Sequence, residues 1–208
     1  MESAVLSKYY DERATAFGKT IESCQYRSVK SFAQRQSVVL DLLKGTKGKR
    51  ILDLGCGPGL FTSPLSKNNQ IVGIDLSLEM LRLARPDLKP VKGDGTSLPF
   101  QNGTFDLVMA IEMLQHLSDF RSLLEEILRV LRPGGELIIS SLNPTSVFHR
   151  ALWSFGGYRG LSFHSDEKVG SFLKNRALTF ETHFLSFPLP WVWRGEPNKR
   201  WMNFLATS

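Results

Sequence analysis

Short apolar runs alternate along this chain with longer stretches in which apolar residues recur every three or four positions. The runs are Ile51-Leu52-Asp53-Leu54, Ile71-Val72-Gly73-Ile74-Asp75 and Phe105-Asp106-Leu107-Val108-Met109-Ala110-Ile111. Each is too short for a stable helix and is bounded by glycine or polar residues, which predicts strands covered on both faces. A shorter strand is expected over 90–94, and another over 136–142 after the turn Pro133-Gly134-Gly135. Helical spacing marks 2–17 and 27–44, the latter carrying Val29, Phe32, Val38, Leu42 and Leu43. Ser77 can cap a helix over 78–85 that Pro86 ends. Ser118 or Asp119 can cap another, with the stripe Leu123, Leu124, Ile127, Leu128 and Leu131. Ser165 with Asp166 and Glu167 marks a later helix start, and Leu178, Phe180, Thr182 and Phe184 alternate as in a late strand. Strands separated by helices predict an α/β fold with a parallel, doubly wound sheet.

Composition narrows the class. The 208 residues, 42% hydrophobic and 22% charged, suit a single globular domain. Two cysteines, Cys24 and Cys56, are too few for a disulfide framework or a zinc finger and suit a reducing compartment. The first thirty residues carry Glu2, Lys8, Asp11, Glu12 and Arg13 and no apolar leader segment. No later apolar stretch reaches the ~18–20 residues of a membrane span, so a cytoplasmic location is expected.

Charge is uneven: net +5 over 1–50, −3 over 51–148 and +4 over 149–208, the last segment also being rich in aromatics. Basic flanks around an acidic middle are either ordinary solvated surface or a cover favouring an anionic, partly apolar ligand. The chain has no continuous Lys/Arg-rich run and no recognised nucleic-acid module; nucleic acid stays open as a partner without being favoured. A substrate held at a membrane surface also stays open.

The most informative segment is Leu52-Asp53-Leu54-Gly55-Cys56-Gly57-Pro58-Gly59. Glycines at alternate positions after a strand allow a sharp turn and close approach of a ligand, and the next helix is expected to begin near Leu60. A dinucleotide fingerprint would need glycine where Leu60 stands, Pro58 lacks an N–H, and no Gly-Lys-Ser/Thr follows for a Walker loop. Alone, the run is equally a structural turn. Asp75 ends the second strand, 22 residues after Asp53, where a carboxylate can accept from both ribose hydroxyls. Asp94 ends the third and, with the N–H of Gly95, can read an adenine edge. Each acid alone could be a helix cap or a solvated loop residue; together they point to an adenosine derivative without a pyrophosphate.

In these segments the sequence resembles the class I S-adenosylmethionine-dependent methyltransferases, in the small-molecule branch similar to the ubiquinone/menaquinone-biosynthesis enzymes. The resemblance runs in family order through 51–60, 71–77, Gly93-Asp94-Gly95-Thr96-Ser97-Leu98-Pro99-Phe100, 105–117 and Arg129-Val130-Leu131-Arg132-Pro133-Gly134-Gly135-Glu136. It implies a Rossmann-like seven-stranded sheet of order 3-2-1-4-5-7-6, strand 7 antiparallel, with helices on both faces and an N-terminal helical cap. It also implies one methyltransferase domain over 1–208, made of a cap (1–44), a cofactor-binding core (50–142) and a substrate-side lid with closing strands (143–208).

The cofactor implied is S-adenosyl-L-methionine, leaving as S-adenosyl-L-homocysteine. The resemblance puts Gly55, Cys56 and Gly57 at the methionine part, with Asp53 supporting that loop and the amino group. Asp75 falls at the ribose, Leu76 and Met80 beside the adenine, Asp94 and Gly95 at its edge, and Ile111 near the methionine end. Tyr10, in Tyr10-Asp11-Glu12-Arg13-Ala14, resembles the tyrosine with which the cap closes over the cofactor; a core or surface tyrosine is the other reading.

A sulfonium methyl is already activated, so transfer is an in-line displacement that needs chiefly alignment. A protein base is needed only where the acceptor must lose a proton. His116 is the candidate base, the other reading being that it bonds backbone and positions the next helix; Glu112 is a candidate contact to cofactor or substrate. His149, His164 and His183 lack metal-ligand spacing, so no metal is assigned. The expected acceptor is a small molecule, walled by the N-terminal helices and by Phe148, Trp153, Phe155, Tyr158 and Phe163 with Arg150 and Arg159. An RNA or carrier-protein acceptor, or a module that binds the cofactor without turnover, are the rival readings.

Overall fold

A computed structural model describes residues 3–26, 28–142, 160–176, 178–186 and 199–207. Phe148, His149, Arg150, Trp153, Phe155, Tyr158 and Arg159, expected above to line the acceptor pocket or weighed as ligands, lie outside the described residues.

The apolar runs form strands as the pattern predicts. β1 (Arg50–Leu54), β2 (Gln70–Asp75), β3 (Pro90–Lys92), β4 (Phe105–Ile111) and β5 (Leu131–Leu142) make a parallel sheet in the order β3-β2-β1-β4-β5. The Pro133-Gly134-Gly135 turn falls inside β5, where the pairing with β4 jumps from Phe105↔Leu131 to Leu107↔Glu136.

Alternate strand residues feed two cores. Leu52, Leu54, Val108, Ala110, Leu137 and Ile139 pack with Leu123, Leu124, Ile127 and Val130 of α4 (Arg121–Val130) and with Val169, Phe172 and Leu173 of α5 (Asp166–Lys174). Ile51, Ile71, Leu107, Met109 and Ile138 pack on the other face with Val39 of α2 (Val29–Leu42) and Leu81 of α3 (Leu78–Leu83). Asp53, Asp75 and Ile111 share the parity of this second face, so the strand ends that matter for ligand binding open toward α2 and toward α1 (Ser3–Phe17).

Helix starts follow local capping chemistry. Ser77 Oγ accepts from the Met80 N–H and Ser165 Oγ from the Lys168 N–H, as expected. Of Ser118 and Asp119, it is Asp119 that accepts from the Arg121 N–H, with Phe120 in the cap position.

One expectation is corrected. No α-helix starts at Leu60: the chain turns through 57–62 and then forms a single 3-10 turn, Ser63–Leu65. Pro64 would stand in the first full turn of such a helix without an N–H to give, and its ring would crowd the Leu60 carbonyl. That carbonyl instead accepts from Gln36 Nε2 of α2 at 2.7 Å.

Candidate active site

The loop after β1 is built to lie flat against a ligand while keeping its own donors occupied. Gly55, Gly57 and Gly59 have φ of 65°, 50° and 75°, the left-handed region that a side chain resists. The N–H groups of Gly55 and Cys56 both donate to the Ile74 carbonyl, and that of Gly59 donates to the Cys56 carbonyl. The Gly57 N–H donates to Asp75 Oδ2 at 2.8 Å, and Pro58 has none. A diphosphate cradle needs these N–H groups pointing outward. Here they are turned to the protein.

Three carboxylates mark the strand ends. Asp53, 3% exposed, accepts from Thr62 Oγ1 at 2.6 Å, and burial pushes its carboxyl up to about 7. Asp75 accepts from Gly57 and, through Oδ1, from the Ser77 N–H at 2.9 Å. Its carboxyl is raised by burial, against the pull of those two N–H groups. Asp94 accepts from the Thr96 N–H and hydroxyl through Oδ1 and from the Ser3 hydroxyl through Oδ2. Burial raises Asp94, but the bonds from Ser3 and Thr96 together hold it below the usual carboxylate range. Next to it, Gly95 is packed so closely that a Cβ would fall 2.6 Å from Met113 Cε. Met80 is buried under the Gly57 turn, where a Cβ on Gly57 would lie 3.9 Å from its Sδ. Cys56 is buried too, its thiol raised by burial and directed at the Gly57 carbonyl.

α1 lies across these strand ends. The Ser7 hydroxyl donates to the Leu76 carbonyl, and Asp11 Oδ1 accepts from the Ser77 hydroxyl and the Glu79 N–H. Asp11 thereby places negative charge at the start of α3, where helix dipoles favour it. Local sequence carries no sign of this pairing, because the partners are more than sixty positions apart. Midway along α1, next to Asp11, Tyr10 accepts from Gln25 Nε2 at 2.7 Å and lies 3.1 Å from His116 Nε2. The direction of the Tyr10–His116 bond follows the histidine tautomer. Burial lowers His116 to about 4, so the ring is neutral near pH 7.

A second polar group sits just beyond β4. Glu112 has φ of 54°, held by bonds from its N–H to the Ser140 carbonyl and hydroxyl, both at 3.0 Å. Its carboxylate faces Arg35 Nε of α2 at 3.7 Å and accepts from the Tyr26 hydroxyl. Arg35 in turn lies over the Tyr26 ring, 5.2 Å from its centroid. Ile111, one residue earlier, packs on the α2 side of the core. Sequence reasoning named Glu112 but missed Arg35, Tyr26, Gln25 and Cys24. Cys24 lies against Gly57, where a Cβ would be 3.5 Å from its Sγ, and burial pushes its thiol up to about 11. The structure therefore brings Tyr10, Asp53, Gly55, Cys56, Gly57, Asp75, Leu76, Met80, Asp94, Gly95, Ile111 and His116 to one end of the sheet. Among the described residues no group of three His, Cys, Asp or Glu is arranged to hold a metal.

The donor set fits a nucleoside that carries positive charge. Three carboxylates stand at neighbouring strand ends, and the loop N–H groups a phosphate would need are bonded within the protein.

Comparison with known proteins agrees. Residues 52–139 match a family described as a methyltransferase domain. A demethylmenaquinone methyltransferase of Paenarthrobacter aurescens is 34% identical over 151 residues, 69% of this chain and 60% of that protein. A phthiotriol/phenolphthiotriol dimycocerosates methyltransferase of Mycobacterium leprae is 38% identical over 107 residues, 48% of this chain and 40% of that protein. The crystal structure of an S-adenosylmethionine-dependent methyltransferase from Thermotoga maritima superposes with a TM-score of 0.71 at 22% identity, covering 85% of this chain and 88% of that one. The chain spans between 33% and 64% of the length of the curated relatives it matches. Residues 52–139 thus carry a methyltransferase domain, and the chain is similar to the class I S-adenosylmethionine-dependent methyltransferases, menaquinone-biosynthesis members among them.

Proposed function

We propose that this protein transfers the methyl group of S-adenosylmethionine to a small-molecule acceptor with a flat or lipidic body. The observation that carries the reading is the arrangement of Asp53, Asp75 and Asp94 at three strand ends around a glycine loop whose N–H groups all turn inward. When bound, the cofactor supplies an electrophilic methyl group and a neutral thioether leaving group.

The chain's own residues hold and align. Asp75 takes the ribose hydroxyls, Asp94 and Gly95 the adenine edge, with Leu76 and Met80 beside the ring. Asp53 supports the loop of Gly55, Cys56 and Gly57 at the methionine end, near Ile111. α1, bonded through Ser3, Ser7 and Asp11 on the adenine and ribose side and through Tyr10 at His116, covers the recess from water. His116 holds Tyr10 in place rather than acting as a strong base, since its Nε2 is engaged with the phenol and burial lowers its affinity for a proton.

For the acceptor, the cap (1–44) and residues 160–165 form the walls. Support comes from residues 160–165, where the Ser162 N–H donates to the Gln115 carbonyl at 2.7 Å and His164 Nε2 donates to the Leu117 carbonyl at 2.9 Å. The chain after β5 thus returns to the site beside His116. The two relatives named for demethylmenaquinone and for phenolphthiotriol lipids favour an acceptor of lipidic or quinol type. We further propose that one domain spans 1–208 and that two C-terminal strands complete a seven-stranded sheet of order 3-2-1-4-5-7-6. The antiparallel register of Leu137↔Ala206 through Leu142↔Trp201 supports that closure.

The test is incubation with methyl-labelled S-adenosylmethionine and a panel of short-chain quinols, phenolic lipids, RNA and protein extracts. Label transferred to a small molecule is expected. Label appearing only in RNA or protein, or in nothing while the cofactor binds, overturns the reading.

A further inference from the structure

We propose that Glu112 is the proton acceptor of this site and that, with Arg35 and Tyr26, it selects an acceptor whose nucleophile is an O–H or N–H group. The inference rests on the methyltransferase reading above and adds the chemical class of the nucleophile.

Placement comes first. β1 and β4 pair with Leu54 opposite Ala110, so Ile111 and Glu112 continue level with Gly55 and Cys56 of the glycine loop. Glu112 thus stands at the methionine end of the cofactor site. Left-handed backbone is disfavoured at a non-glycine residue. Here two bonds from its N–H to Ser140 hold that conformation. The conformation matters because the side chain reaches α2 and Tyr26, the wall assigned to the acceptor.

Its accessibility comes second. The Glu112 side chain keeps 19% of its surface exposed, whereas Asp53 is 3% exposed and bonded to Thr62. Asp75 is committed to two backbone N–H groups, and Asp94 to Ser3 and Thr96. His116 Nε2 faces Tyr10. Glu112 meets Arg35 Nε at 3.7 Å, an ion-pair separation longer than a hydrogen bond, and accepts from the Tyr26 hydroxyl, so its carboxylate keeps further acceptor positions for a substrate.

Electrostatics then separates the two neighbours. Burial raises Glu112 to about 7, against the pull of Arg35 and of the Tyr26 hydroxyl, while burial lowers His116 to about 4. A base matched to neutral pH transfers protons best, so the pair divides into a proton acceptor and a positioning ring. The groups facing Glu112 are Arg35 from α2, the Tyr26 hydroxyl, Tyr10 from α1 and the Cys24 thiol.

In the step, the nucleophile's proton passes to a Glu112 oxygen and its electron pair forms the bond to the methyl carbon. The pair of the breaking carbon–sulfur bond stays on sulfur. Glu112 ends neutral, the sulfonium becomes a thioether, and charge balances.

An acceptor-free experiment tests this. Calorimetry of S-adenosylmethionine and S-adenosylhomocysteine binding is run from pH 5.5 to 8.5 on the wild type, Glu112→Gln and Arg35→Gln. An ionised carboxylate at the methyl end attracts the sulfonium and not the thioether. The wild-type preference for the sulfonium is expected to rise by about tenfold through neutral pH. Glu112→Gln is expected to lack that rise. Arg35→Gln is expected to move the midpoint upward, and it carries the test should Glu112→Gln fail to fold. Identical pH profiles in all three proteins overturn the assignment while leaving the cofactor site standing. Failure of the wild type to bind either compound overturns the methyltransferase reading itself.

Discussion

Asp53→Asn keeps the shape of a fully buried side chain and removes only its charge. Unfolded, Asp53 titrates near 3.8; folded, burial moves it to about 7. Between those values the native state keeps a proton that the unfolded state has released. The contribution is therefore fully present below pH 3.8 and is lost as pH rises to about 7. A shift of three units corresponds to about 4 kcal/mol at ~1.36 kcal/mol each. Asparagine still accepts from Thr62, but its amide hydrogens need partners at a cost of about 1–2 kcal/mol. The net gain expected at pH 8 is about 2–3 kcal/mol, turning into a net loss of about 1–2 kcal/mol near pH 4, where only the amide cost is left. Urea unfolding of wild type and Asp53→Asn at pH 4, 6 and 8 measures it. Equal stability at pH 8, or a variant with the wild-type pH slope, would refute the reasoning that a buried, strained charge is kept here for ligand binding.

Other expectations concern single contacts. Asp75→Ala should weaken S-adenosylhomocysteine binding by about 1–3 kcal/mol in calorimetry, since a charged hydrogen-bond acceptor is lost; unchanged affinity would remove the ribose role. Gly57→Ala should lose about 1–2 kcal/mol in urea unfolding, because φ of 50° resists a side chain while the Cβ itself meets Cys24 Sγ at an ordinary 3.5 Å. Ser77→Ala should cost about 1 kcal/mol as a lost cap. It should also speed amide exchange in α1, because the Ser77 hydroxyl donates to Asp11.

What could be read along the chain was local. β1, β2 and β4 follow from apolar runs, and the caps at Ser77 and Ser165 from one hydroxyl each, because strand burial and capping are decided within a few residues. No helix starts at Leu60 because Pro64 has no N–H for the Leu60 carbonyl, which Gln36, 24 positions away, takes instead. The cofactor-side acids were legible since each ends a recognisable strand. The Tyr10–His116, Asp11–Ser77 and Arg35–Glu112 pairs were not, since each joins the N-terminal helices to a strand end by folding alone. Nor does any residue pattern announce the left-handed backbone of Glu112.

The inward-turned N–H groups of the glycine loop lead to one direct comparison. Titrating the protein with S-adenosylhomocysteine and, separately, with NAD by calorimetry is expected to give one-to-one binding of the first and no heat from the second. Binding of NAD in preference, or no binding of S-adenosylhomocysteine, would contradict a recess shaped for a nucleoside thioether.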